Sequence, residues 1–199
     1  MQLTAQNLQC DRGGRVVFSG LSFRVAAGQM LQLTGPNGSG KSSLLRLIAG
    51  LNEAAAGTLQ LDGGSADLAI GQQAHYIAHQ DAAKAALTVE ENLAFWRDFL
   101  GGGDVEAAMA ALDLTRLSSY HAGLLSAGQK RRLALARLAL VPRALWLLDE
   151  PTVGLDAASQ ERLAAIMGDH LARGGLIIAA THVALGLEPQ VKLELRGAR

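Results

Sequence analysis

The chain has 199 residues, of which 49% are hydrophobic and 18% are charged, and this composition excludes an intrinsically disordered protein. Basic and acidic residues number 18 each, so the net charge provides no general attraction to nucleic acid or to anionic lipid. The single cysteine, Cys10, excludes an internal disulfide and fits a reducing compartment. We expect neither a secretion signal nor a membrane-spanning helix, because the sequence has no basic, apolar leader and no apolar run approaching the ~20 residues that cross a bilayer.

In chain order, short apolar runs bounded by glycine predict strands over residues 2–9, 21–28 and 29–35. A helix is predicted over residues 41–51, followed by two strands over 58–63 and 74–80. From Thr88 the pattern changes to helices over 88–100, 104–114 and 126–141, and the last of these stops before Pro142. A strand over 144–150, a helix over 157–174 and strands over 175–181 and 191–196 complete the order.

This order of elements predicts an α/β fold. Strands that alternate with helices favour a mostly parallel sheet with helices on both faces. The opening strands have no helices between them, which favours an N-terminal antiparallel β layer beside that sheet. The helices at about residues 83–142 form an insert in the α/β core, and we expect residues 1–199 to form a single domain.

The segment GPNGSGKS, Gly35 to Ser42, fits the phosphate-loop pattern G-x-x-x-x-G-K-[ST] in full. Its glycines let the backbone N–H groups turn inward toward phosphate oxygens, while Lys41 places a charge on the β- and γ-phosphates and Ser42 offers a hydroxyl to Mg²⁺. A glycine-rich turn without a ligand is the alternative, but a predicted strand precedes the loop and a helix follows it. We therefore predict a P-loop NTPase core that binds ATP with Mg²⁺ through Gly35, Pro36, Asn37, Gly38, Ser39, Gly40, Lys41, Ser42 and Ser43.

The segment ALWLLDEP is a buried strand that ends in two carboxylates. In parallel sheets such a strand delivers them to the carboxyl edge, where ligands bind. We predict that Asp149 holds Mg²⁺ and that Glu150 is the general base for an attacking water. Taken alone, a strand followed by an acidic turn is common, and the pairing with a phosphate loop is what favours ATP hydrolysis.

The phosphate loop, a loop glutamine, LSAGQ, LLDEP, GLD and TH follow one another along nearly the whole chain, and this set resembles the nucleotide-binding subunit of ABC transporters. The resemblance implies that Gln80 reaches Mg²⁺, that Asp156 crosses a dimer interface and that His182 lies near the γ-phosphate. It also implies that a signature sequence touches the nucleotide held by a second copy of the chain, through Ser126, Ala127, Gly128 and Gln129.

Each of these residues also has an ordinary structural interpretation. Gln80 alone is typical of a solvated loop, Asp156 of a helix cap, and His182 of a strand end. His75 and His79 lie four residues apart in a predicted strand without further zinc ligands, so we interpret them as structural or peripheral.

Finer features resemble one branch of the family, the ATP-binding subunit of the cytochrome c maturation system, described as a heme exporter. They include VFSGLSF, LLRLIAGL, YIAHQ and LTVEENLAFW, and an alanine at Ala127 where most transporters have glycine. The resemblance implies a peripheral translocase ATPase on the cytoplasmic face of the inner (plasma) membrane. Two copies would bind integral membrane subunits, and ATP turnover would drive release of a heme-loaded chaperone. No Cys-x-x-Cys-His pattern is present, so we expect no direct heme binding and, given the neutral charge, no nucleic-acid partner.

Two regions leave alternatives open. Arg12 lies where many cassettes stack an aromatic on adenine; its planar guanidinium can stack instead, with Phe18 as a less favoured substitute. Phe95, Trp96 and Phe99 lie on one predicted helix, and packing inside the insert is favoured over docking to a membrane subunit.

Other functional classes fit less well. A DNA-maintenance ATPase head would carry coiled-coil arms, which the short segment from Gln80 to Ser126 does not encode. A small-molecule kinase needs no signature, and a translation factor of this type has two cassettes. An ABC ATPase for another small cargo is the alternative closest to the favoured one.

Overall fold

A computed structural model describes residues 1–196 of the chain. The amino-terminal part forms a three-stranded antiparallel sheet of strands β1 (Gln2–Arg12), β2 (Arg15–Ala26) and β4 (Ala56–Asp62), with β1 in the centre. Both pairings are antiparallel, with Leu3 opposite Val25 on one side and Leu61 on the other. The predicted antiparallel layer is therefore confirmed.

A second sheet of five strands contains β3 (Met30–Thr34), β5 (Ala74–Ile77), β6 (Leu145–Asp149), β7 (Leu176–Ala180) and β8 (Val191–Glu194). Its order is β5-β6-β7-β3-β8, and every neighbouring pair is parallel. Parallel pairing aligns all five carboxyl ends at one edge. The strands β6 and β7 are buried along their whole length, as expected of strands covered on both faces.

Five helices surround the sheets: α1 (Lys41–Ile48), α2 (Val89–Leu100), α3 (Val105–Ala111), α4 (Ala127–Leu140) and α5 (Ala157–Ala172). Thr88 caps α2 and forms a reciprocal capping box with Glu91. The helices α2, α3 and α4 pack together and lie within the predicted insert. Among residues 1–196, no helix is both long enough and apolar enough to cross a membrane.

The parallel sheet separates two hydrophobic cores. Alternate residues of β6 point to opposite faces, so Trp146 and Leu148 pack with the helices of the insert and α5, whereas Leu145 and Leu147 pack with α1 and the antiparallel layer. This double burial holds the end of β6 rigidly. Asp149, the last residue of β6, and Glu150, which follows it, consequently have a fixed position at the carboxyl edge.

Candidate nucleotide-binding site

The predicted phosphate loop connects β3 to α1 at the carboxyl edge of the parallel sheet. Gly35, Gly38 and Gly40 all have positive φ angles, of 140°, 82° and 102°. A Cβ on Gly40 would lie 2.6 Å from Val17 Cγ1 and 3.0 Å from Phe18 Cδ1. Both the left-handed backbone and the close approach of β2 therefore require glycine at this position.

The ammonium group of Lys41 lies inside the loop. Its Nζ donates hydrogen bonds to the carbonyl oxygens of Gly35 at 2.7 Å and Pro36 at 3.2 Å, and the side chain is buried. Lys41 is also the first residue of α1, so its charge adds to the positive end of the helix dipole. Two sources of positive potential thus converge on one loop, which favours an anionic ligand.

A cavity of about 440 Å³ lies above this loop. It is lined by Arg12, Val17, Asn37, Gly38, Gly40, Lys41, Ser42, Ser43, His79, Asp149 and Glu150. Residues from the antiparallel layer, the phosphate loop and the ends of β5 and β6 therefore share one space. The structure brings together the loop, Arg12 and both predicted carboxylates.

The two carboxylates differ in environment. Asp149 is the last residue of β6 and is 5% exposed. Glu150 is partly exposed and has a φ of 46°, a backbone conformation that residues other than glycine rarely adopt. The Glu150 N–H donates to the carbonyl oxygen of Ala180 at 2.9 Å. The turn after β6 is thus tied to the end of β7.

The residues around the loop fit Mg²⁺ as part of a nucleotide complex. Ser42 and Asp149 both line the cavity and provide a hydroxyl and a carboxylate oxygen. Within residues 1–196 no three His, Cys, Asp or Glu side chains gather into a metal site. Mg²⁺ typically binds one or two protein oxygens together with phosphate oxygens rather than an all-protein cage, so this donor set is sufficient.

Gln80 and His182 lie beyond the ends of β5 and β7, the two strands that flank β6. Both side chains are exposed, and neither lines the cavity. Since the carboxyl ends of β5, β6 and β7 lie at the same edge of the sheet as the phosphate loop, Gln80 and His182 follow strands that end at that edge. Their predicted contacts with nucleotide or metal stay predictions.

The predicted signature sequence begins α4. Ser126 is the N-cap: its Oγ accepts from the Gln129 N–H at 3.2 Å, and Gln129 Oε1 accepts from the Ser126 N–H at 2.8 Å. Ala127 is the first helical residue and has no positive φ, so its Cβ causes no backbone strain. In the part of the chain that the structure describes, the cavity lining includes none of Ser126, Ala127, Gly128 and Gln129.

The loop before α5 packs against the signature. A Cβ on Gly128 would lie 2.7 Å from the carbonyl oxygen of Gly154, so glycine permits this contact. Asp156 caps α5, because its Oδ1 accepts from the Ser159 N–H at 2.8 Å. The hydrogen bonds from Ser159 hold the pKa of Asp156 below its ordinary value. The predicted capping function of Asp156 is thus observed, and a contact across an interface stays a prediction.

The family model described as ABC transporter matches residues 18–153, from the strand that contacts Gly40 to the loop after Glu150. The chain belongs to the ABC transporter family. As a member of this family it is an ATP-binding ATPase. The family also implies a membrane transporter as a partner for this ABC ATPase.

Two relatives resemble this ABC ATPase over nearly their whole length, and one solved exporter resembles it over part of its length. The cytochrome c biogenesis ATP-binding export protein CcmA of Bradyrhizobium diazoefficiens is 55% identical over 190 residues, which cover 94% of this chain and 95% of that protein. The protein of the same description from Nitrobacter winogradskyi is 53% identical over 200 residues and covers 100% of both chains. A solved bacterial Atm1-family ABC exporter with ATP bound has a TM-score of 0.83 at 25% identity, covering 98% of this chain and 37% of that one.

Among residues 1–196, the lining of the cavity in this ABC ATPase includes no Phe, Tyr or Trp side chain. Arg12 lines the cavity, as predicted, and is exposed. Phe18 is only 3% exposed and packs beneath Gly40 in the core, so it is not available for stacking. Of the two proposed stacking residues, only Arg12 has access to a ligand.

The two neighbouring histidines, interpreted from the sequence as structural or peripheral, have different surroundings. His75 is buried, and its Nε2 lies 2.7 Å from the carbonyl oxygen of Val141. His79 instead lines the cavity with Glu150. In the paired strands β5 and β6, Ile77 lies opposite Leu148. If the same register continues for two more residues, His79 lies opposite Glu150. This placement depends on β5 and β6 being neighbours in the sheet, an order that the sequence does not specify.

The aromatic side chains of α2 divide between core and surface. The guanidinium of Arg137 lies 3.6 Å from the ring centroid of Trp96, which packs within the insert. Phe99 is 71% exposed and borders a groove of about 560 Å³, which also contains Leu68 and the end of α1. The packing interpretation therefore applies to Trp96, whereas Phe95 and Phe99 are both exposed and Phe99 is the more accessible of the two.

Proposed function

We propose that this ABC ATPase is the ATP-hydrolysing subunit of a transporter that acts in cytochrome c biogenesis, where it energises heme export or the release of a heme-loaded chaperone. The assignment rests on sequence identities of 55% and 53% to relatives described as CcmA, over 94% and 100% of this chain. The proposed unit is one nucleotide-binding domain with a helical subdomain at about residues 83–142. It would work at the cytoplasmic face of the inner membrane.

ATP binds with its phosphates in the loop of residues 35–43. The inward-facing N–H groups and the start of α1 stabilise the phosphate charge, and Lys41 moves its ammonium from the loop carbonyls to the β- and γ-phosphates. Ser42 and Asp149 would hold Mg²⁺, and Gln80 in the loop after β5 would add an amide oxygen. When bound, Mg²⁺ neutralises charge that develops on the phosphates.

Glu150 accepts a proton from the attacking water as phosphoryl transfer proceeds. Its carboxylate lies on a turn whose N–H is anchored to Ala180, so the base has a defined direction. His182 follows the same strand end and contacts the γ-phosphate. Positioning and charge stabilisation provide most of the catalysis in phosphoryl transfer, which matches a site made of fixed loops.

The site is completed by a second copy of the chain. The signature residues 126–129 begin a helix whose N–H groups form an anion-binding end, yet they do not line the cavity of their own subunit. In a homodimer each signature would contact the nucleotide of the other subunit, and Asp156 would cross the interface. Hydrolysis would remove this contact and separate the two copies.

Membrane subunits dock at the groove that Phe99 borders. This groove lies between the carboxyl end of α1, the helix whose amino end follows the phosphate loop, and α2 of the insert. An exposed aromatic beside a concave surface is a typical interface anchor. Docking here would link ATP-dependent movement of the insert to the transporter.

The substitution Glu150→Gln tests the mechanism. It keeps the side-chain size but removes the base, so we expect an ATP-bound dimer with a turnover rate at least ~100-fold lower. Phosphate release and size-exclusion chromatography with light scattering measure the two effects. The matched control is Glu161→Gln on the exposed face of α5, which should behave as wild type. A monomeric and fully active Glu150→Gln protein would refute the assignment.

The biological role has a separate test. In cells that depend on this chain, Glu150→Gln should abolish covalent heme in c-type cytochromes, measured by peroxidase staining of gels, while Glu161→Gln should not. Normal c-type cytochromes in the presence of an inactive ATPase would show that the cargo belongs to another process.

A further inference from the structure

Arg131 lies in the first half of α4, just after the signature, and is 3% exposed. A guanidinium has five N–H donors in one plane. In this structure all are used, in five hydrogen bonds to the carbonyl oxygens of Pro151 (3.2 Å), Ala78 (2.8 Å), Asp149 (2.9 Å) and Glu150 (2.8 Å) and to the carboxylate of Asp81 (3.0 Å). A buried charge is therefore fully paired, as its burial requires.

These partners belong to two different loops. Three of the carbonyls come from the turn at the end of β6, which carries Glu150. The other two partners, Ala78 and Asp81, flank His79 and Gln80 in the loop after β5. Arg131 thus connects three segments of one subunit: the helix that begins with the signature, the turn of the proposed base and the loop that carries Gln80.

The turn at Glu150 is the segment with the greatest need for such support. Its φ of 46° is an unfavourable conformation for a residue with a side chain, so neighbouring contacts have to maintain it. On the amino side the Glu150 N–H is bound to Ala180, and on the carboxyl side the Glu150 carbonyl is bound to Arg131. Removing Arg131 would leave the second half of the turn without this support.

The geometry requires an arginine. Lysine would preserve the charge, but a single ammonium with three donors cannot reach acceptors on two loops in the planar pattern seen here. If Arg131 contributes to kcat only through its charge, Arg131→Lys should retain that contribution. If it contributes through the geometry of its hydrogen bonds, Arg131→Lys should lose it.

We propose that Arg131 is a positioning residue that fixes the turn carrying Glu150 and the loop carrying Gln80 relative to the signature helix. Movement of α4, when its signature engages the nucleotide of a second copy, is then transmitted directly to the catalytic turn of its own subunit. This inference rests on the proposed assignment of Glu150 as the base and adds a residue that the ordered motifs do not include.

The test compares Arg131→Gln and Arg131→Lys with Arg137→Gln, a control on the same helix whose guanidinium packs on Trp96 inside the insert. We expect kcat to fall about 100-fold in both Arg131 variants, as for a small displacement of catalytic groups, with little change in the affinity for a fluorescent ATP analogue. Arg137→Gln should retain most of its kcat. Faster amide exchange at residues 78–81 and 150–155, but not in α1, should accompany the loss.

Asp81→Ala provides a second test, because Asp81 is on a partly exposed loop and the substitution removes its carboxylate acceptor while leaving the four carbonyl contacts of Arg131 in place. It should fold, bind the analogue normally and lose kcat to a smaller degree. If the Arg131 variants do not fold, this variant decides: a wild-type kcat in Asp81→Ala would overturn the proposed role of the contact between Arg131 and the loop that carries Gln80.

Three results would overturn the inference. They are a near-wild-type kcat in Arg131→Gln, full rescue by lysine, and an equal loss in Arg137→Gln. Glu150→Gln is measured in the same series to separate the two proposals. If Glu150→Gln stays active, the assignment of the base fails; if it is inactive while Arg131→Gln stays active, only the positioning role fails.

Discussion

His75 should make the stability of this protein depend on pH. The side chain is buried in β5, and burial lowers its pKa to about 4. The hydrogen bond to the Val141 carbonyl opposes this shift, while the nearby positive charges of Arg137, Arg143 and His170 reinforce it. The neutral ring is therefore the form that the fold accommodates, with Nε2–H donating to Val141.

The sign of the effect follows from proton binding. An unfolded histidine has a pKa near 6.5, so as the pH falls below that value the unfolded chain gains a proton that the folded protein does not bind until about pH 4. The free energy of unfolding therefore falls with acidification in this window. For a pKa of about 4, the contribution lost between about pH 7 and pH 5 is roughly 2 kcal/mol.

The assay is urea unfolding of the nucleotide-free protein at both pH values, for wild type and for His75→Gln, which does not titrate but can still donate to Val141. When the pH is lowered from 7 to 5, the free energy of unfolding of the wild type should fall by about 2 kcal/mol more than that of the variant. Burial lowers the pKa of His170 as well, and its contribution is present in both proteins, so it cancels in the comparison. Equal pH dependence of wild type and His75→Gln would refute the reasoning.

Two further substitutions test the site and the docking surface. Gly40→Ala should abolish nucleotide binding in a filter-binding assay, because the new Cβ would overlap Val17 at 2.6 Å. Gly101→Ala is the control: Gly101 also has a positive φ but has open space around it, so this variant should bind nucleotide and lose only about 1 kcal/mol of stability. Phe99→Glu should reduce co-purification with the membrane subunits at least ~10-fold without affecting ATP binding. The control Trp96→Phe should still assemble with these subunits. Unchanged co-purification of Phe99→Glu would show that the docking surface is not at Phe99.

The secondary structure was predictable because its signals are local. Alternating apolar residues, glycine-bounded runs and caps such as Thr88 and Ser126 act over a few residues, and every predicted helix and strand is present in the structure. The phosphate loop was equally predictable, because its conformation depends on glycines within eight consecutive positions.

What the sequence by itself determined is therefore the order of elements, the phosphate loop, the pair Asp149 and Glu150, and the family to which their spacing belongs. Only the tertiary structure decided that His79 lines the cavity, that Phe18 is buried beneath Gly40, and that Arg131 joins two loops. The contacts of Arg131 with Ala78 and Asp81 span 53 and 50 residues of chain. Local periodicity does not encode such contacts, because they arise only when the order of strands in the sheet has placed distant segments side by side.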